Sequence, residues 1–154
     1  MSAPLVVVLS GSPADAAHCD AIAAACHALG LATEVRVASA HRTPEHALDV
    51  LRTYEAQYQS GQPTVLITVA GRSNALSGFA DPQVSMAVIA CPPPGDAVDV
   101  WSSLRMPAAL AAAKILGLVS PQARQAVARA QATARQRVID ADAGRTSAPN
   151  GVKS

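Results

Sequence analysis

Three short segments each bring together residues able to do chemistry. The first is Ser10-Gly11-Ser12-Pro13-Ala14-Asp15. A glycine turn that opens into a helix presents backbone N–H groups, which favour phosphate or carboxylate. Ser12 adds a hydroxyl, and the Asp15 carboxylate can hold ribose hydroxyls. Either residue is equally suited to a plain helix N-cap. The segment is neither the dinucleotide-binding fingerprint nor a P-loop. The second is Ser39-Ala40-His41-Arg42-Thr43-Pro44. A guanidinium such as that of Arg42 binds phosphate through two parallel N–H donors. An imidazole such as that of His41 can take up and give back a proton. The plain alternative is a surface loop with Thr43 as cap. The third is Ala70-Gly71-Arg72-Ser73-Asn74-Ala75-Leu76-Ser77-Gly78. Its backbone N–H groups can hold a planar ring or a carboxylate, or it is a tight turn into a short helix.

The surrounding pattern predicts how these segments meet. Leu5–Leu9 is wholly apolar and rich in β-branched residues, so it reads as a buried central strand. Residues 14–29 are Ala-rich, with Ile22, Ala25, Cys26 and Leu29 at helical spacing and Gly30 as the stop. Residues 33–37 read as a second strand and 44–58 as a second helix, with Pro44 in its first turn. Gly61-Gln62-Pro63 is a turn; 64–69 and 86–90 read as a third and fourth strand. Pro92-Pro93-Pro94-Gly95 breaks the chain. Residues 98–106 and 108–116 read as helices with Pro107 between them, and 122–141 as a polar-faced helix. Residues 1–143 then form one α/β domain, and 144–154, rich in Ser, Pro, Gly and Lys, a disordered tail. The alternation predicts a three-layer α/β/α fold with a parallel, flavodoxin-like sheet. Each segment follows a strand end, and ligands of such sheets bind there.

Composition narrows the function further. With 154 residues, the chain holds one domain with a proper core. Half of it is apolar, yet only 3% is aromatic, which argues against a stacking platform for single-stranded nucleic acid. A net charge of +1 gives no long-range field for nucleic acid or a membrane surface. Apolar runs are far shorter than a membrane span, and Met1-Ser2-Ala3-Pro4 does not begin a secretory signal. Cys19, Cys26 and Cys91 lack metal-type spacing and read as reduced cytosolic thiols, Cys19 and Cys26 as core or interface residues on one helix face. His18, His27 and His46 read as surface or packing residues, Trp101 as an anchor at a helix or subunit contact. Arg124, Arg129, Arg135 and Arg137 read as a solvated face.

Together the three segments resemble the aminoimidazole ribonucleotide carboxylases and mutases of purine synthesis. Ser39-Ala40-His41-Arg42-Thr43-Pro44 is similar to that family's signature, and Gly11-Ser12-Pro13-Ala14-Asp15 to its Gly-Ser-x-Ser-Asp loop. Residues 70–79, Ala90-Cys91-Pro92-Pro93-Pro94 and Trp101-Ser102-Ser103-Leu104-Arg105-Met106-Pro107 resemble the class II branch, which takes carbon dioxide directly. The mutase branch has a His in the third loop, where this chain has Arg72-Ser73-Asn74. The resemblance implies carboxylation of aminoimidazole ribonucleotide to 4-carboxyaminoimidazole ribonucleotide, reversibly, on the way to IMP. It implies His41 as the proton carrier, with Ser12, Asp15, Ser39 and Arg42 on the ribose 5-phosphate. Ala70, Gly71, Ser73, Asn74, Ala75 and Leu76 would surround the carboxylate or carbon dioxide. It implies no metal, biotin or nucleotide cofactor, and a cytoplasmic homo-oligomer, an octamer in the family, without nucleic-acid or membrane partners. The alternatives are a non-catalytic or altered-activity ribonucleotide-binding relative and the N-carboxyaminoimidazole ribonucleotide mutase.

Two departures stand out. Ala14 replaces the family's second Ser, removing a hydroxyl whose bond to a charged group is worth about 1.5–3 kcal/mol. After Pro107 the family has another strand and loop, which would need roughly a dozen more residues. Here Ala108–Leu116, a strong helix former, follows at once, so the sheet is expected to lack its last strand.

Overall fold

The computed structural model describes residues 2–71, 74–94 and 105–146. Arg72 and Ser73, residues 98–104 of the helix expected over 98–106 with Trp101 among them, and residues 147–154 of the expected tail lie outside them. The described sheet has four parallel strands in the order β2-β1-β3-β4: β1 Leu5–Ser10, β2 Ala32–Val37, β3 Thr64–Val69 and β4 Ala87–Ala90. Every residue of β1 and β3 is buried, as expected for apolar strands covered on both faces.

Alternation along β1 splits the core into two layers. Val6 and Val8 pack with Ile67 against α1 (Ala16–Ala28), α4 (Arg105–Leu116) and the start of α5 (Pro121–Thr146). Leu5, Val7 and Leu9 pack with Leu66 against α2 (Pro44–Gln59) and α3 (Ala75–Ala80). The chain leaves β1 through α1 toward β2, then returns across β1 through α2 to β3. One crossover hand applied in opposite directions puts α1 and α2 on opposite faces. The gap between β1 and β3 is therefore the point where the strand order reverses.

Loop chemistry fixes the helix ends. Both α1 and α2 stop at a glycine in the left-handed region, Gly30 at φ 71° and Gly61 at φ 97°. In each, the two N–H groups beyond the cap turn back onto the last carbonyls: Gly30 to His27 and Leu31 to Cys26, Gly61 to Tyr58 and Gln62 to Gln57. Pro13 starts a 3-10 turn over Pro13–Asp15, so α1 proper begins at Ala16, two residues later than the pattern implied.

The segment after β4 differs from expectation in one respect. Pro107 does not separate two helices, because α4 starts at Arg105 and takes Pro107 into its first turn, where a missing N–H costs nothing. Residues 107–116 are helical, as the Ala-rich run implied, and the sheet among the described residues has four strands. Ala108, Ala109, Ala112 and Ala113 are all buried, and their small side chains let α4 lie close against α1. The final helix runs to Thr146, past Gly144, where the expected tail begins. Arg124 is not purely solvated: its Nη1 donates to the Gly117 carbonyl at 2.7 Å and helps close the turn between α4 and α5. His18 is a packing residue, with Nε2 3.3 Å from the Cys91 carbonyl oxygen, tying α1 to the end of β4.

Candidate active site

The register brings three strand ends level: Ser10 of β1 stands beside Val37 of β2 and Val69 of β3. Backbone bonds continue past that row, from Ala38 N–H to the Ser10 carbonyl at 2.8 Å and from Gly11 N–H to the Val69 carbonyl at 2.9 Å. The loops leaving these ends converge on one half-open pocket of about 180 Å³. Its lining includes Ser12, Asp15, Ser39, His41 and Arg42 on the polar side and Ala70, Ala75 and Leu76 on the apolar side. Gly71 also lines it.

Thus nine of the expected site residues meet in one place, with His41 and Arg42 exposed at its mouth and Leu76 buried in its wall. Gly11 and Ala40 line it as well, though neither was singled out for a role. Their signal was position alone, each preceding an expected site residue. A Cβ on Gly11 would sit 3.7 Å from Ala70 Cβ and from Leu76 Cδ2, so the first and third loops are in near contact there. Asn74 is the exception. It borders a separate open depression with Ser77, Gly78 and Asp81. The helix α3 starts just after it, and its carbonyl accepts from Gly78 N–H at 2.8 Å and from Ser77 Oγ at 3.0 Å.

The first loop works differently from the expected cradle of N–H groups. Pro13 has no N–H. Ser12 N–H donates to Ser10 Oγ at 3.2 Å, Ala14 N–H to Ser12 Oγ at 3.2 Å, and Asp15 N–H to the Ser12 carbonyl at 3.2 Å. These donors are turned into the loop itself. An anion here must be met by side chains: the Ser12 hydroxyl, which accepts from Ala14 and keeps its own proton to donate, and the guanidinium of Arg42.

The second loop is braced around His41. Ser39 N–H donates to Thr43 Oγ1 at 3.0 Å, Thr43 Oγ1 donates to the Ser39 carbonyl at 3.3 Å, and Thr43 N–H reaches the same carbonyl at 2.9 Å. Arg42 N–H donates to Ser39 Oγ at 3.1 Å. Behind this loop, Tyr54 of α2 donates its hydroxyl proton to Glu34 Oε2 at 2.6 Å and accepts from Arg36 Nη1 at 3.2 Å, both on β2. Burial, with the Glu34 carboxylate second, pushes the Tyr54 hydroxyl above its usual range. Below the first loop, burial raises the Cys19 thiol, and burial raises Cys26 likewise. Cys19, Cys26 and Cys91 are buried and not joined in disulfides, which agrees with reduced core thiols.

Residues 5–116 match the AIR carboxylase family. The chain is 41% identical over 155 residues to the phosphoribosylaminoimidazole carboxylase of Treponema denticola, covering 90% of this chain and 96% of that one. It is 39% identical over 152 residues to the phosphoribosylaminoimidazole carboxylase of Archaeoglobus fulgidus, covering 88% and 82%. A 44% match over 114 residues to the mouse bifunctional phosphoribosylaminoimidazole carboxylase/phosphoribosylaminoimidazole succinocarboxamide synthetase takes in 72% of this chain and 26% of that protein. The fold superimposes on the crystal structure of Treponema denticola PurE with a TM-score of 0.83 at 38% identity, over 92% of this chain and 98% of that one.

Proposed function

The chain belongs to the AIR carboxylase family, and from that premise we propose that its pocket joins carbon dioxide to the ring carbon of aminoimidazole ribonucleotide. It is an enzyme of purine biosynthesis, a phosphoribosylaminoimidazole carboxylase. The observation that carries the reading is the convergence of Ser12, Asp15, Ser39, His41 and Arg42 on one pocket between β1 and β3.

The chemistry follows from the substrate. The ring carbon carries enamine-like electron density, and its electron pair attacks the carbon of carbon dioxide. A carbon–carbon bond forms, and one C=O pair moves onto oxygen as carboxylate. The adduct still holds the ring hydrogen, and His41 takes that proton so that the electrons return to the ring. In reverse, His41 returns the proton and carbon dioxide leaves. The step as written consumes no ATP.

The remaining residues bind and orient. Arg42 and the hydroxyls of Ser12 and Ser39 suit the 5-phosphate, because each has protons to donate. Asp15, an acceptor, suits a ribose hydroxyl. Ala70, Gly71, Ala75 and Leu76 form a small wall, and an apolar surface suits carbon dioxide before it becomes carboxylate. Ser73 keeps the part that the resemblance implies, on the carboxylate, and the Asn74 carbonyl accepts the first bonds of α3. The mutase and binding-only readings gain nothing from relatives that are named as carboxylases.

We place the protein in the cytoplasm on the strength of its buried cysteines, none joined in a disulfide. Self-association is supported by Ile115, Leu118 and Val119, which are 37%, 79% and 52% exposed at the corner between α4 and α5. The function is tested by incubating the protein with the ribonucleotide and bicarbonate without ATP. Formation of 4-carboxyaminoimidazole ribonucleotide is expected, and an absolute requirement for ATP, or no product, contradicts the reading.

A further inference from the structure

Ser10 is the last residue of β1 and is fully buried. Alternation turns its side chain toward α1, on the same face as Val6 and Val8, where Cys19 interacts with its hydroxyl. A hydroxyl in such a layer must find partners. Besides Cys19, Ser10 finds two of them on one residue two places on. Its Oγ donates to the Ser12 carbonyl at 2.6 Å and accepts from the Ser12 N–H at 3.2 Å. One atom can serve both because Ser12 is extended, at φ −151° and ψ 140°, which turns its N–H and C=O to the same side.

The consequence reaches the pocket. With both backbone groups of Ser12 held inward, its side chain is left facing the pocket that it lines. Ala14 supplies no hydroxyl, and the N–H groups of Ser12, Ala14 and Asp15 are spent within the loop. In this loop the Ser12 hydroxyl is therefore the side-chain donor left for an anion, and its direction is set by Ser10. We infer that Ser10 is a positioning residue for ribonucleotide binding, acting through Ser12 without touching the substrate. The inference rests on the carboxylase reading above, which assigns Ser12 to the phosphate.

Steady-state kinetics on Ser10→Ala, Ser12→Ala and the double variant test it. A misdirected charge-assisted hydrogen bond weakens binding about ten-fold. Ser10→Ala is expected to raise KM for the ribonucleotide by about that factor, leaving kcat within about two-fold, and Ser10→Thr to restore most of the loss. The double variant is expected to match Ser12→Ala alone, because both remove one donor. A residue that only fills space would lower the melting temperature with KM unchanged, and that result overturns the inference. So does a double variant whose effect is the product of the two single ones. Ribonucleotide affinity by calorimetry gives the same comparison without turnover, so failure of the carboxylase reading and failure of this inference are told apart. If Ser10→Ala does not accumulate folded, Ser10→Cys, which keeps the volume with a weak donor, takes its place in the cycle.

Discussion

Ser39 and Thr43 hold each other across His41 and Arg42. The Ser39 N–H donates to Thr43 Oγ1 at 3.0 Å, and the Ser39 carbonyl receives Thr43 N–H at 2.9 Å and Thr43 Oγ1 at 3.3 Å. The loop is thus clamped at both ends of the His-Arg pair, while the pair itself stays exposed.

Thr43→Val removes the hydroxyl from this clamp and keeps the side-chain shape. About 1 kcal/mol of stability should go, the usual worth of such a bond. The larger effect should be on kcat, through looser placement of His41. Denaturant melts and steady-state kinetics read the two effects separately. A loss of stability with kcat untouched would mean that the clamp does not orient the histidine.

Arg42→Ala should weaken the ribonucleotide by about ten- to hundred-fold, the range for a lost hydrogen bond to a charged group. Arg42→Lys should recover only part, because an ammonium cannot present two parallel donors. The measurement is KM or calorimetric affinity as salt is raised. Unchanged affinity in Arg42→Ala would move the phosphate elsewhere in the pocket.

Tyr54→Phe should cost about 1–2 kcal/mol of stability, by leaving Glu34 and Arg36 without their shared partner. Its pH dependence has a definite sign. The folded-state pKa is raised, chiefly by burial, so the stabilising contribution is complete below the unfolded tyrosine value of about 10. Above that value it is lost as pH rises toward the folded pKa. Melting temperature against pH should therefore fall less steeply on the alkaline side in Tyr54→Phe than in wild type. Parallel curves would contradict the assignment.

The thiols of Cys19 and Cys26 are pushed up by burial, and Cys91 is 4% exposed. A thiol reagent near pH 8 should therefore modify the folded protein slowly, and denatured protein fully at its three cysteines. Rapid reaction of the folded chain would show that the α1 layer opens.

Much of the architecture was legible in the sequence, for physical reasons. Leu5–Leu9 is apolar at every position, and Thr64–Val69 interrupts its apolar run only with two threonines, patterns that suit strands buried on both faces. The gathering of three loops followed from strand order alone. What the sequence could not show depends on single contacts. The N–H groups of the first loop are consumed because a buried Ser10 hydroxyl and the Ser12 side chain reach back to them. Asn74 borders a neighbouring depression with Ser77 and Gly78, because α3 starts one residue after it and its carbonyl takes the first bonds of that helix. Pro107 reads as a break, but three residues into a helix it is harmless. The run past Gly144 reflects a segment rich in Ala, Arg and Gln, whose helix propensity outweighs one glycine costing about 1 kcal/mol.

The central claim is that His41 carries the proton of the carboxylation. Its most direct test compares wild type with His41→Asn, in turnover of aminoimidazole ribonucleotide with bicarbonate and in calorimetric affinity for the same ribonucleotide. Loss of a general acid/base lowers rate by about 10²–10⁴-fold. The account predicts a fall of that size in kcat, with affinity changed by no more than a few-fold. Turnover in His41→Asn close to that of wild type would contradict it.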